Sequence, residues 1–128
     1  MKDNIYTAII THGNLSGCLK RVTEKLIVPV TEVAYFSNKE LTLEEIESEI
    51  ESERTRLKPA KTAFFIDLVG GSCWLLANKI KRNDPDILVI GGVNVPMLIS
   101  YHMNLEKLNW EQLIDKVIED GKKGIVAR

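Results

Sequence analysis

Cysteine is scarce: Cys18 and Cys73 are the only two among 128 residues, far apart and without a C-x-x-C pairing. That excludes a disulfide framework and a thioredoxin-type redox motif, so both read as free thiols. With only two histidines, at unhelpful spacing, no zinc or other metal site is expected either. Long apolar runs are missing as well. The run Ile87–Ile90 is far shorter than the roughly 20 residues a membrane helix needs. Met1-Lys2-Asp3-Asn4 leads into a strand-like run rather than a signal-peptide core, and a cytoplasmic location is expected. Nor does charge of one sign dominate. Lys and Arg number 17 against 18 Asp and Glu, a formal net charge of -1, so no global field points to nucleic acid or anionic lipid. The glycines fit neither G-x-x-x-x-G-K-S/T nor G-x-G-x-x-G, which removes the usual nucleotide sites. Ser72 lacks the G-x-S-x-G setting of a hydrolase elbow.

What is present is alternation. Ile5–Ile10, Val30–Phe36, Ala63–Leu68 and Ile87–Ile90 are apolar and β-branched runs bounded by turn residues, and read as strands. Between them lie helical patterns. Leu15, Leu19, Val22 and Leu26 repeat on one face of the first. Thr42 and Glu45 form a capping box for the second, whose acidic stretch from Glu40 to Glu53 reads as a solvated helix face until Lys58-Pro59-Ala60 ends it. Cys73–Arg82 forms the third, and Pro96 suits the first turn of a fourth. Asn109 and Gln112 cap a fifth, carrying Trp110, Leu113, Ile114, Val117 and Ile118 on one face until Gly121 stops it. Such alternation specifies a single-domain α/β fold, a mainly parallel open sheet with helices on both faces. One domain is all that 128 residues allow.

In such sheets, chemistry gathers at the carboxyl ends of the strands. Three loops there stand out: Thr11-His12-Gly13, Asp67 to Ser72, and Gly91-Gly92-Val93-Asn94. Asp67 ends an apolar run, where an unpaired carboxylate would cost several kcal/mol. His12 is its natural partner. A carboxylate on one ring nitrogen fixes the tautomer and leaves the other nitrogen nucleophilic, able to attack a phosphoryl group. Gly70-Gly71-Ser72 opens the third helix, whose free N–H groups and dipole favour an anion. Cys73 reads as buried packing, and His102 as a surface or packing residue.

The segments Ile9-Ile10-Thr11-His12-Gly13, Phe65-Ile66-Asp67-Leu68-Val69-Gly70-Gly71-Ser72 and Gly91-Gly92-Val93-Asn94-Val95-Pro96-Met97-Leu98 together resemble the IIA domain of the mannose-family phosphotransferase system. The resemblance implies one type-4 EIIA domain over residues 1–128, a phosphocarrier in sugar uptake. His12 would take a phosphoryl group from phospho-HPr on Nε2 and hand it to a IIB component, while Asp67 holds the Nδ1 side. Ser72 with the Gly70 and Gly71 backbone would cradle the phosphoryl oxygens, and no cofactor is implied. Leu68, Val69 and Trp74 would form an apolar docking rim. A homodimer is also implied, with Gly124–Ala127 added as an antiparallel edge strand exchanged between copies. Family members commonly carry a Pro and an aromatic residue after G-G-S, where this chain has Cys73 and Trp74. With the chain ending at Arg128, the IIB component is expected on a separate polypeptide, and contact with the membrane only through transporter subunits. Two other readings remain open: a regulatory protein switched by His12 phosphorylation, and a module that binds a small anion without covalent chemistry.

Overall fold

The apolar runs become four strands laid side by side, described by a computed structural model over residues 4–128. Met1–Asp3, read above as a leader into the first strand, lie outside the described residues. The order is β1 (Ile5–Thr11), α1 (Leu15–Leu26), β2 (Val33–Ser37), α2 (Leu43–Leu57), β3 (Lys61–Ile66), α3 (Ser72–Asn83), β4 (Leu88–Ile90), α4 (Val95–Asn104) and α5 (Trp110–Lys123). The sheet is parallel throughout, in the order β2-β1-β3-β4. After β1 the chain winds first to one side and then to the other. The switch point therefore falls between the carboxyl ends of β1 and β3, where Ile10 pairs with Ile66.

Continuous apolar strands are needed because both faces are covered. Tyr6, Ala8, Ile10, Phe64 and Ile66 meet Ile46 and Ile50 of α2 and Leu76, Ala77 and Ile80 of α3. Ile9, Ala63 and Phe65 point the opposite way, into Leu19 of α1, Met97, Leu98 and Tyr101 of α4, and Leu113 and Val117 of α5. The strand period of two thus sorts a nearly uniform run into two cores. Among the described residues, no helix is long and apolar enough to cross a membrane.

Several expectations change. β2 begins at Val33 rather than Val30, because Val33 is the first residue opposite a β1 partner, Thr7. β3 ends at Ile66, so Asp67 and Leu68 belong to the loop beyond it. On α1 the leucine–valine stripe is not the buried face. Leu15, Val22 and Leu26 are exposed, while Ser16, Gly17, Leu19 and Thr23 are covered. Small residues let this helix lie close on the sheet edge, and a Cβ on Gly17 would stand 3.3 Å from the Tyr35 ring. Gly121 does not stop α5. It is buried within the helix because a Cβ there would come 2.5 Å from Met97 Cγ, and the helix runs on to Lys123. The expected antiparallel edge strand at Gly124–Ala127 is not part of the sheet in the single chain, where residues 125–128 are irregular and exposed.

His102, expected at the surface or in packing, is 2% exposed inside α4, and no described residue hydrogen-bonds its Nδ1. Burial pushes its pKa down to about 4. In the unfolded chain the ring takes its proton near the ordinary value of about 6.5. Stability present at neutral pH is therefore lost progressively as pH falls from there toward 4. Urea unfolding of wild type and His102→Phe should show this loss in wild type and a flatter profile in the variant. Identical pH profiles would remove His102 as the cause.

Candidate functional site

The parallel pairing of β1 with β3 carries Ile10 and Ile66 side by side, so the residues just past them emerge together. His12 and Asp67 meet there. The Asp67 carboxylate accepts the His12 backbone N–H at Oδ2, 3.0 Å, and faces Nδ1 of the ring with both oxygens, at 3.0 and 3.2 Å. The two bonds fix the backbone and the ring at once, with Nδ1 as donor and Nε2 as the bare nitrogen. Asp67 is largely enclosed, its side chain 14% exposed, whereas the His12 side chain is 41% exposed. The carboxylate is thus the sheltered partner and the imidazole the accessible one.

Around the ring, each loop has a stated anchor. Gly13 turns with φ +57° and gives its N–H to Asn38 Oδ1 at 3.3 Å, tying the loop to the end of β2. Thr11 Oγ1 accepts the Ser16 N–H at 2.7 Å, which starts α1. Gly70 takes φ +87°, a left-handed turn that disfavours a side chain. Ser72 Oγ stands 3.3 Å from His12 Nε2. Helix α3 starts beside it with Gly71 as N-cap, no side-chain capping bond and no acidic residue in its first turn. By contrast, Thr42, Asn94 and Asn109 cap α2, α4 and α5. The first-turn donors of α3, beginning with the Ser72 N–H, lie beside Nε2 and suit an anion.

Gly71 acts differently from the expectation. Its own N–H is committed to the Leu68 carbonyl at 3.1 Å, so it offers space rather than a donor. A Cβ there would stand 3.0 Å from His12 Cε1 and 3.6 Å from Nε2. The docking rim also differs in part. Leu68 and Val69 are exposed, but Trp74 is half-buried against the core, and Leu75 is the exposed apolar residue of that turn. Gly91 makes room for this packing, since a Cβ on it would collide with Val69 and crowd Trp74. Asn94, in the third loop, serves structure: it caps α4 through the Met97 N–H and donates to the Gly121 carbonyl.

Sequence reasoning missed Asn38, seen only as a strand boundary, and Leu75, which helical spacing from Ser72 would have placed outward. Cys73 is fully buried, as expected, and burial with the nearby Asp67 carboxylate pushes its thiol up to about 11. The fold nevertheless brings ligand atoms of His12, Asp67 and Cys73 within 4.8 Å of one another.

A family model described as EIIA-man, PTS system fructose IIA component, matches residues 7–118. Among solved structures, the phosphotransferase system component EIIA from Streptococcus agalactiae is similar, with TM-score 0.82 and 23% identity, covering 96% of each chain. The mannose/sorbose specific IIA subunit from Enterococcus faecalis superposes with TM-score 0.78 at 16% identity, over 100% of this chain and 96% of that one. The PTS IIA protein associated with the fucose utilization operon of Streptococcus pneumoniae gives 0.75 at 18%, over 98% and 94%. No curated protein matches the sequence.

Gly71→Ala tests the close approach at the ring. The variant should fold, with a stability cost of about 1–3 kcal/mol from overpacking, and carbethoxylation of His12 by diethyl pyrocarbonate should slow severalfold. An unchanged modification rate would show that the ring does not depend on that space.

Proposed function

The chain belongs to the EIIA-man family of phosphotransferase-system IIA components, and on that premise we propose that it is a phosphocarrier whose His12 takes a phosphoryl group from phospho-HPr and passes it to a IIB component. The observation that carries this reading is the Asp67 carboxylate on Nδ1 at 3.0 Å, with Ser72 Oγ beside Nε2. In the transfer, the Nε2 lone pair attacks phosphorus. The bond from phosphorus to the donor breaks, and the donor leaves with its electron pair. The Nδ1 proton stays on the ring throughout, and Asp67 offsets the positive charge the imidazole gains. Ser72 Oγ donates to a phosphoryl oxygen, and the first turn of α3 adds backbone donors and its positive dipole end. Gly70 shapes the loop, and Gly71 leaves room for the ring. Transfer of this kind asks for in-line positioning and charge stabilisation, which these groups supply without a metal or cofactor.

Partner recognition falls to the exposed Leu68, Val69 and Leu75 around the histidine, with Trp74 behind them. In this reading the chain works as one type-4 domain in the cytoplasm. The exposed Ile125 and Val126 suit addition of the tail to the open edge of β4 in a second copy, giving a homodimer.

Phosphoenolpyruvate, Enzyme I and HPr should add one phosphoryl group to wild type, read by intact mass under alkaline conditions, and none to His12→Ala. Asp67→Asn should fold but transfer more slowly, on the order of 10²-fold, because an amide can present the wrong group to Nδ1. No gain by wild type would overturn the phosphocarrier reading in favour of a binding or regulatory relative. A normal rate in Asp67→Asn would remove Asp67 from the mechanism.

A further inference from the structure

Cys73 has no task in the transfer just described, yet it completes a set of three chemically different donors. An imidazole nitrogen of His12, a carboxylate oxygen of Asp67 and the thiol sulfur of Cys73 lie within 4.8 Å of one another. Tetrahedral zinc has bonds of about 2.0–2.1 Å to nitrogen, 2.0–2.2 Å to oxygen and 2.3 Å to sulfur, which spaces its donors about 3.3–3.6 Å apart. The His12–Asp67 pair at 3.0 Å need open only slightly to reach that spacing.

We propose that His12, Asp67 and Cys73 together bind a borderline-soft divalent cation, Zn2+ above all, and that its occupancy withdraws His12 from phosphoryl transfer. The donor set selects the ion. A thiolate with an imidazole favours zinc over magnesium or calcium, which prefer an all-oxygen shell. Charge agrees. Two positive charges on the metal are cancelled by one thiolate and one carboxylate, which leaves a neutral centre where Cys73 is fully buried. Binding releases one proton: the Cys73 S–H bond breaks, sulfur bonds the metal, and the proton goes to water. The imidazole keeps its single proton. Because His12 is the accessible partner, with its side chain 41% exposed, water can complete the tetrahedron.

The consequence for the histidine does not depend on which nitrogen the metal takes. On Nδ1, the metal displaces the remaining proton to Nε2; on Nε2, it occupies the nucleophilic pair directly. In both cases Nε2 has no free lone pair. This second half of the proposal rests on the transfer reading above, whereas metal binding itself does not.

Co2+ titration of the reduced full chain reads the site. Wild type should show a near-ultraviolet thiolate-to-cobalt band that saturates at one equivalent and is displaced by Zn2+. Cys73→Ala and Cys73→Ser should lose the band and weaken Zn2+ binding by roughly tenfold or more, while Cys18→Ser should keep it. Absence of the band in wild type, or a band that disappears with Cys18→Ser, overturns the site. With Enzyme I and HPr, the ratio of phosphorylation rates with and without Zn2+ should fall severalfold in wild type and stay near one in Cys73→Ala. Equal inhibition of both overturns the regulatory half, since the metal would then act on the donor proteins. If wild type takes no phosphate even without metal, the phosphocarrier reading fails alone, and the cobalt band still decides the site.

Discussion

One carboxylate holds the working end of this molecule together. Asp67 accepts both the backbone N–H and the Nδ1 proton of His12, so a single side chain fixes where the loop after β1 runs and how the ring is turned. A partly exposed imidazole without such a partner would sample rotamers and both tautomers. The sheltered acid and the accessible base depend on each other. The acid avoids the cost of an unpaired buried charge, and the base gains a defined nucleophilic nitrogen.

That pairing requires the parallel sheet. β1 and β3 are separated in sequence by α1, β2 and α2, yet they are direct neighbours, with Ile10 opposite Ile66. The reversal of winding direction after β2 opens the crevice in which such folds place ligands. Covering both faces with helices keeps the strands largely apolar, and the charged or titratable groups of this edge begin just past them at His12 and Asp67. The same register brings the unshielded start of α3 beside Nε2, while Gly71 gives the ring its space by lacking a side chain.

Cys73 shows how packing and chemistry can share a position. Its side chain belongs to the α2–α3 core, and as a small apolar group it needs no other explanation. Its place in the first turn of α3, directly after Ser72, nevertheless sets it against the carboxylate that orients the histidine. A core residue is thereby held beside the His12–Asp67 pair, its sulfur within 4.8 Å of their ligand atoms.

Local sequence signals were enough for the four parallel strands and five helices, the α/β class, and the pairing of His12 with Asp67, but not for the tail at Gly124–Ala127, which forms no strand in the single chain. Periodicity and turn residues are local signals, and a charged group at the end of an apolar strand demands a partner wherever the chain goes. Neighbours distant in sequence settle the rest. Of the aliphatic stripe on α1 only Leu19 is buried, beside Ser16, Gly17 and Thr23, because close approach to the edge of β2 favours small side chains. Gly121 is a contact with Met97 and not a helix stop, and the N–H of Gly71 is already committed to Leu68. Two histidines and two lone cysteines carry no metal spacing along the chain, since the distance between His12 and Cys73 is set by the β1–β3 register. Only folding measures that distance.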